Sequence, residues 1–143
     1  AIGGKLGAGK LQINEGLATL QFSSGAKVIM EGPATFEIID SMTTRLHSGI
    51  VVSDIPESAH GFTILTPTAK AVDNGTRFLT KVKNNGETTV LDVLEGEVEL
   101  IRDDKSQMFK TGDIAKSSDK GIEQYENLRE ELYGQERGIK SIY

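Results

Sequence analysis

Apolar positions in this chain run in short alternating stretches, many of them interrupted by a glycine. Ile13-Asn14-Glu15-Gly16-Leu17, Leu46-His47-Ser48-Gly49-Ile50-Val51-Val52, Leu94-Glu95-Gly96-Glu97-Val98-Glu99-Leu100 and Phe109-Lys110-Thr111-Gly112-Asp113-Ile114 share one plan: an apolar residue, a polar step, a glycine and a new apolar run. Glycine reaches positive φ without steric cost, so its recurrence predicts corners at which one strand ends and the next begins. The architecture expected is a stack of short strands with an apolar inside and a loop-bearing outside. Such a stack suits display or signalling better than it suits a catalytic crevice.

The same reading places individual elements. Ala18, Leu20 and Phe22 alternate with Leu17, Thr19 and Gln21, which predicts a strand closed by Ser23-Ser24-Gly25. Val28–Met30 begins another, and Glu31-Gly32-Pro33 separates it from a strand over Ala34–Ile39, since proline cannot donate into a central ladder. Asp54–Gly61 reads as the longest loop. Further strands are expected over Phe62–Leu65, Ala69–Val72 and Arg77–Lys83, and Asn84-Asn85-Gly86 is the strongest hairpin signal, with Thr88–Leu94 as partner strand. After Ser117-Ser118-Asp119, a candidate N-cap, Ile122, Tyr125, Leu128 and Leu132 recur at helical spacing and Gly134 is placed as a stop. The organisation expected is a flexible entry segment over 1–10, an all-β domain over 11–117, and an amphipathic helix with a frayed tail over 118–143.

Composition narrows the partners. The 143 residues, 37% hydrophobic and 26% charged, fit one globular domain with a tail. The net charge is -5 and the 16 Lys and Arg are scattered singly, so no basic stripe exists to neutralise a run of phosphates. Nucleic acid is not an expected partner. No apolar run approaches the roughly 20 residues of a membrane span, and the absence of cysteine excludes disulfides and thiolate ligands.

Candidate chemistry is sparse. Gly4-Lys5-Leu6-Gly7-Ala8-Gly9-Lys10 matches a phosphate loop except that Leu11 replaces the final Ser or Thr and a strand pattern follows where a helix should open. Glu95, Glu97 and Glu99 alternate along one expected strand and read as a solvated face rather than a catalytic carboxylate pair. Asp73-Asn74-Gly75-Thr76 lacks the later oxygen ligands of a calcium loop and reads as a side-chain-stabilised turn. His47 and His60, the only imidazoles, have no metal-ligand spacing, and no G-x-S-x-G elbow occurs. Neither a catalytic group, nor a cofactor, nor a metal is expected.

Phe62-Thr63-Ile64-Leu65-Thr66-Pro67, Ala71-Val72-Asp73-Asn74-Gly75-Thr76-Arg77-Phe78, Val90–Leu100 with Glu95-Gly96 inside it, and Thr111-Gly112 follow one another in an order that resembles the FecR family. Leu20–Ala34 is similar to the first half of that domain in planctomycete-like members, and the resemblance covers about 11–116. It departs at Asn74, where an aliphatic residue is usual, and at Arg77, where an acidic one is common. The resemblance implies an all-β, jelly-roll-like sandwich with solenoid-like stacking. It also implies an extracytoplasmic, periplasmic part of a membrane-anchored regulator in an anti-sigma-factor pathway, which senses a signal relayed by an envelope protein or adjoining domain. The signature residues Phe62, Thr66, Pro67, Gly75, Thr76, Phe78, Glu95, Gly96 and Gly112 read as structural.

Two function classes follow. The first is a protein-interaction module that uses an edge strand or the loop carrying Asp54, Glu57 and His60. The second is a carbohydrate- or small-ligand-binding sandwich, which the absence of Trp and the 6% aromatic content disfavour, since sugars stack on exposed aromatic rings.

Overall fold

Alternation does give strands here, but four of them are far longer than the glycine spacing predicts. The computed structural model describes residues 8–125 and 127–133. Its strands are β1 (Gly9–Ile13), β2 (Leu17–Gln21), β3 (Lys27–Asp40), β4 (Thr43–Ile55), β5 (Thr63–Leu65), β6 (Lys70–Lys83), β7 (Thr88–Arg102), β8 (Lys105–Lys110), β9 (Ile114–Ser118) and β10 (Gly121–Glu123). A 3-10 turn spans Glu57–Ala59, and one helix, α1, spans Leu128–Tyr133. The fold is all-β.

One ten-stranded hydrogen-bonded sheet contains every strand. Its pairing is antiparallel except between β4 and β5, where Thr43–Arg45 run parallel to Thr63–Leu65. Each long strand serves two sets of neighbours. The first half of β3 carries β2 and its second half carries β1. Likewise β7 carries β9 on Thr89–Asp92 and β8 on Glu97–Arg102. Between those halves the ladders slip, from Glu31 to Thr35 in β3 and from Asp73 to Thr76 in β6. The slips mark bends at Gly32-Pro33, Gly49, Gly75 and Gly96. One core cluster then draws Val28 and Met30 together with Ala34 and Phe36 from opposite sides of the β3 bend, and Val93 together with Val98 and Leu100 from β7.

The glycines therefore do something other than expected. Gly16 and Gly112 do separate strands, whereas Gly49, Gly75 and Gly96 lie inside β4, β6 and β7, and the expected break at Glu31-Gly32-Pro33 lies inside β3. Bending a strand and ending it leave the same local pattern, and only the neighbouring ladder keeps the strand continuous. The hairpin signal holds: Asn84 and Asn85 adopt φ of 58° and 57°, and Gly86 N–H bonds to the Lys83 carbonyl at 3.2 Å. Lys83 pairs with Thr88 across it.

Side-chain alternation also builds an outer face. Val51, Phe78, Leu91 and Ala115 belong to the main core, while their immediate neighbours Val52, Leu79, Val90 and Ile114 form two smaller apolar groups. Leu128 of α1, fully buried, closes the group containing Val90 and Ile114. The helix starts later than its expected N-cap. Ser117 and Ser118 belong to β9, and Gly121, at φ 93°, turns the chain into β10, so Ile122 packs on the core from a strand. The expected stop at Gly134, the tail over 138–143 and most of the entry segment lie outside the described residues.

Candidate functional site

Of the signature residues, Gly75, Thr76, Glu95 and Gly96 meet at the β6–β7 bend. Asp73, 1% exposed, accepts from the Gly75 N–H at 3.1 Å and from the Thr76 hydroxyl through one oxygen, and from the Gly61 N–H at 3.3 Å through the other. Thr76 Oγ1 also lies 2.7 Å from the Glu97 carbonyl across the bend. A buried carboxylate is tolerable when several donors surround it, so the sequence D-x-G-T is a local cage that holds the bend shut. The oxygens offered to calcium by the fragmentary motif are engaged inside the fold, in agreement with the turn-type reading of Asp73–Thr76.

Gly96 and Gly75 contribute differently. A Cβ on Gly96 would lie 1.8 Å from the Gly75 carbonyl oxygen, so the backbones meet only because that atom is missing. A Cβ on Gly75 would meet nothing within 4 Å. The close approach depends on Gly96 lacking a Cβ, and Gly75 contributes its φ of 86°. Gly112 sits in the β8–β9 turn, donating to the Val93 carbonyl at 2.9 Å. Glu95 is exposed opposite Arg77.

Phe62 and Phe78 are fully buried, Phe62 edge-to-face on Phe22 with centroids 5.2 Å apart. Thr66 ties down the β5–β6 turn: its Oγ1 accepts from the Ala69 N–H at 3.0 Å and pairs with Thr89 Oγ1 at 2.8 Å. Thr68 continues the network to Thr89 at 2.7 Å and to the Ser117 carbonyl, and Arg102 caps the Thr68 carbonyl at 2.7 Å. Pro67 lies on the rim of this turn beside Gly86. These contacts are internal to the fold.

The segment expected as a long loop is shorter and more ordered than that. Asp54 belongs to β4, Glu57 opens the 3-10 turn, Ala59 is fully buried and His60 is exposed. Ser58 Oγ donates to the Ser24 carbonyl at 2.8 Å, and Gly61 is held by Asp73. His47 is paired on the sheet surface, its Nε2 2.9 Å from Glu37. That hydrogen bond, against some desolvation and with help from the nearby Arg45, His47 and Lys10 charges, holds the Glu37 carboxyl below the usual range. Among the described residues no group of three or more His, Cys, Asp or Glu could hold a metal.

Among the described residues four strands have a single partner: β1 and β2 pair only with β3, β8 only with β7, and β10 only with β9. Between the β7–β8 and β9–β10 turns lies a cleft of about 740 Å³, lined by Arg102, Asp103, Lys105, Gln107, Lys120 and Ile122 among others. Met108 on β8 is 48% exposed. The sequence singled out edges in general without locating this one, because an edge is a property of pairing.

A profile of the FecR protein family matches residues 11–99, the span from β1 into β7 that contains the D-x-G-T cage. The chain belongs to the FecR family. Two crystal structures of a candidate anti-sigma factor from Parabacteroides distasonis resemble this FecR domain at TM-scores of 0.68 and 0.67, each at 14% identity. The alignments cover 89% and 87% of this chain and 65% of the longer chains in both cases. The likeness shows the shared fold. No protein of curated function matches the FecR domain in sequence. Family and fold together make it a regulator-related domain, and no helix among the described residues is long and apolar enough to cross a membrane.

Proposed function

We propose that this FecR domain is the extracytoplasmic, periplasmic sensing part of a membrane-anchored regulator in an anti-sigma-factor pathway, and that it acts by binding an envelope signalling protein or an adjoining domain. The observation that carries the reading is where the family signature lies. Gly75, Thr76 and Gly96 close the β6–β7 bend, Thr66 ties down the β5–β6 turn and Phe62 and Phe78 are buried, which supports reading the signature as scaffold. What a scaffold presents outward are its edges and turns. The β8 edge beside the 740 Å³ cleft offers main-chain donors and acceptors to an extended segment, with Met108 and the Arg102–Lys120 surroundings giving side-chain selectivity. The turn carrying Glu57 and His60, next to Asp54, is the alternative contact. No cofactor takes part.

Photo-crosslinking from positions 107 and 108 of the full-length protein in intact cells, read beside a sigma-dependent reporter, tests this. A crosslink to an envelope protein is expected, and it should be lost when proline replaces whichever of Ser106 or Gln107 points its N–H away from β7, since neighbouring residues alternate in direction. Hydrolytic turnover, or micromolar oligosaccharide binding with no crosslink, would transfer the domain to the ligand-binding class.

A further inference from the structure

Beneath α1 the outer face of the sheet forms a notch with two chemistries side by side. Leu128 is fully buried against Val90 and Ile114. The next residue, Arg129, lays its guanidinium on Asp92, Nη1 to Oδ2 at 2.9 Å and Nη2 to Oδ1 at 3.0 Å, and Nη2 reaches the Gly112 carbonyl at 3.2 Å. Asp92 is 1% exposed on its side chain, whereas Arg129 is 46% exposed. The acceptors and the apolar walls thus all come from β7, β9 and the β8–β9 turn, and the sheet holds them in place by its own ladder.

The occupant is tied to the notch through few groups: in the described part of α1, Leu128–Tyr133, the contacts with β7, β9 and the β8–β9 turn named above come from Leu128 and Arg129. Its other described ties are surface contacts from Glu131 to Lys116 at 3.3 Å and to Tyr125. Arg129 fits as lysine would not, because a planar fork meets both carboxylate oxygens at once and keeps a donor for the carbonyl.

We propose that Val90, Asp92, Gly112 and Ile114 form a recognition site for a helical turn carrying leucine followed by arginine, filled in cis by Leu128-Arg129 and open to the same pair on a partner helix. This site is separate from the β8 edge and stands whether or not that edge binds. The chemistry of the occupant follows from complementarity: a branched apolar side chain fills the gap between Val90 and Ile114, and a bidentate cation covers both oxygens of the Asp92 carboxylate. A partner gains access by displacing α1, so Leu128–Tyr133 works as a strap over the site.

The test uses the full chain with Leu128→Ser and Arg129→Ser, which empties the notch while leaving β7 and β9 intact, and a labelled peptide of the sequence Gln124–Tyr133. Saturable binding is expected, at least about tenfold tighter than to the wild-type chain, whose own α1 competes. Lysine in place of arginine in the peptide should weaken binding about tenfold, and Asp92→Asn on the double variant should abolish it. No saturable binding by a folded double variant, or equal binding to wild type and to the Asp92→Asn chain, overturns the proposal. Should the double variant fail to fold, hydrogen exchange of the wild-type chain under a large excess of peptide decides: faster exchange across α1 supports displacement, and unchanged exchange refutes it. Wild-type chains that instead exchange α1 into a dimer resistant to the peptide would make the notch a self-association site and end the partner reading.

Discussion

The bend through β3 and β4 and the bend through β6 and β7 are closed by different means. At the first, a Cβ on Gly49 would lie 2.5 Å from the Ala34 Cβ and 2.7 Å from the Pro33 carbonyl, and a Cβ on Gly32 would lie 2.8 Å from the Glu15 nitrogen. Closure there rests on absent atoms together with a main-chain bond, the Gly32 N–H donating to the Gly16 carbonyl at 2.9 Å. At the second, the Gly96–Gly75 approach is joined by the Asp73–Thr76 cage, so the bend is both narrow and hydrogen-bonded. The family match over residues 11–99 spans both bends, and its Asp73–Thr76 signature lies on the second. A bend closed through backbone atoms leaves the side chains beside the glycine less constrained, whereas a polar cage requires a fixed set of side chains at fixed spacing, and it therefore leaves a readable mark in sequence.

Mutations can break this comparison. Gly96→Ala should have the largest effect, above about 3 kcal/mol, because the new atom meets a backbone oxygen and the residue keeps a positive φ; urea titration reads it, and loss of soluble protein would agree. Gly49→Ala is expected to cost about 2–3 kcal/mol, less than Gly96→Ala because its nearest contacts lie at 2.5 Å and 2.7 Å where that of Gly96 lies at 1.8 Å. A Gly49→Ala chain less stable than Gly96→Ala would show that the apolar bend is the stricter of the two. Asp73→Ala should cost about 2 kcal/mol by removing the acceptor of the Gly61 and Gly75 N–H groups and one of the two acceptors of the Thr76 hydroxyl, and should speed hydrogen exchange at Gly61 as well. Exchange at Gly61 unchanged from wild type would separate the 57–61 turn from the cage.

Gly75→Ala is expected to cost about 1–2 kcal/mol, from φ alone, because open space surrounds the position. Equal losses at 75 and 96 would mean that contact contributes nothing beyond backbone strain. The smallest effect lies on the surface, at Glu37→Gln. The Glu37 pKa is lowered from 4.5 in the folded state, so its contribution is complete above that value and is lost as pH falls through the depressed one. Wild type should therefore lose stability relative to Glu37→Gln on acidification, read as the difference in Tm between the two chains from about pH 6 to pH 3; a constant difference would mean that the His47 contact adds nothing to folding.

The sequence makes the β content, the Asn84–Gly86 hairpin and the family legible because each is written in neighbouring residues. It does not separate a bend from a turn. Glu95-Gly96-Glu97 reads alike whether the strand stops or continues, and the β6 ladder that carries β7 through it comes from residues far away in the chain. Asp92 is harder still. It sits in Val90-Leu91-Asp92-Val93-Leu94, where a lone acid in an apolar run is a visible oddity, yet its arginine lies beyond β10 and no local spacing links them. The candidate interaction surfaces share that difficulty, since the free side of β8 depends on what fails to pair with it.

β5 joins the two bent halves through three residues. It runs parallel to the start of β4 and antiparallel to the start of β6, with the Thr63 N–H also bonded to the Met42 carbonyl at 2.9 Å. No hairpin sets the register of its parallel side, so that side can zip only after both flanking strands have found their places, and non-local pairings of this kind are slow to form. The domain should therefore complete folding at β5 and begin opening there. Its amides would report the first local fluctuation on warming, well before the β6–β7 ladder yields.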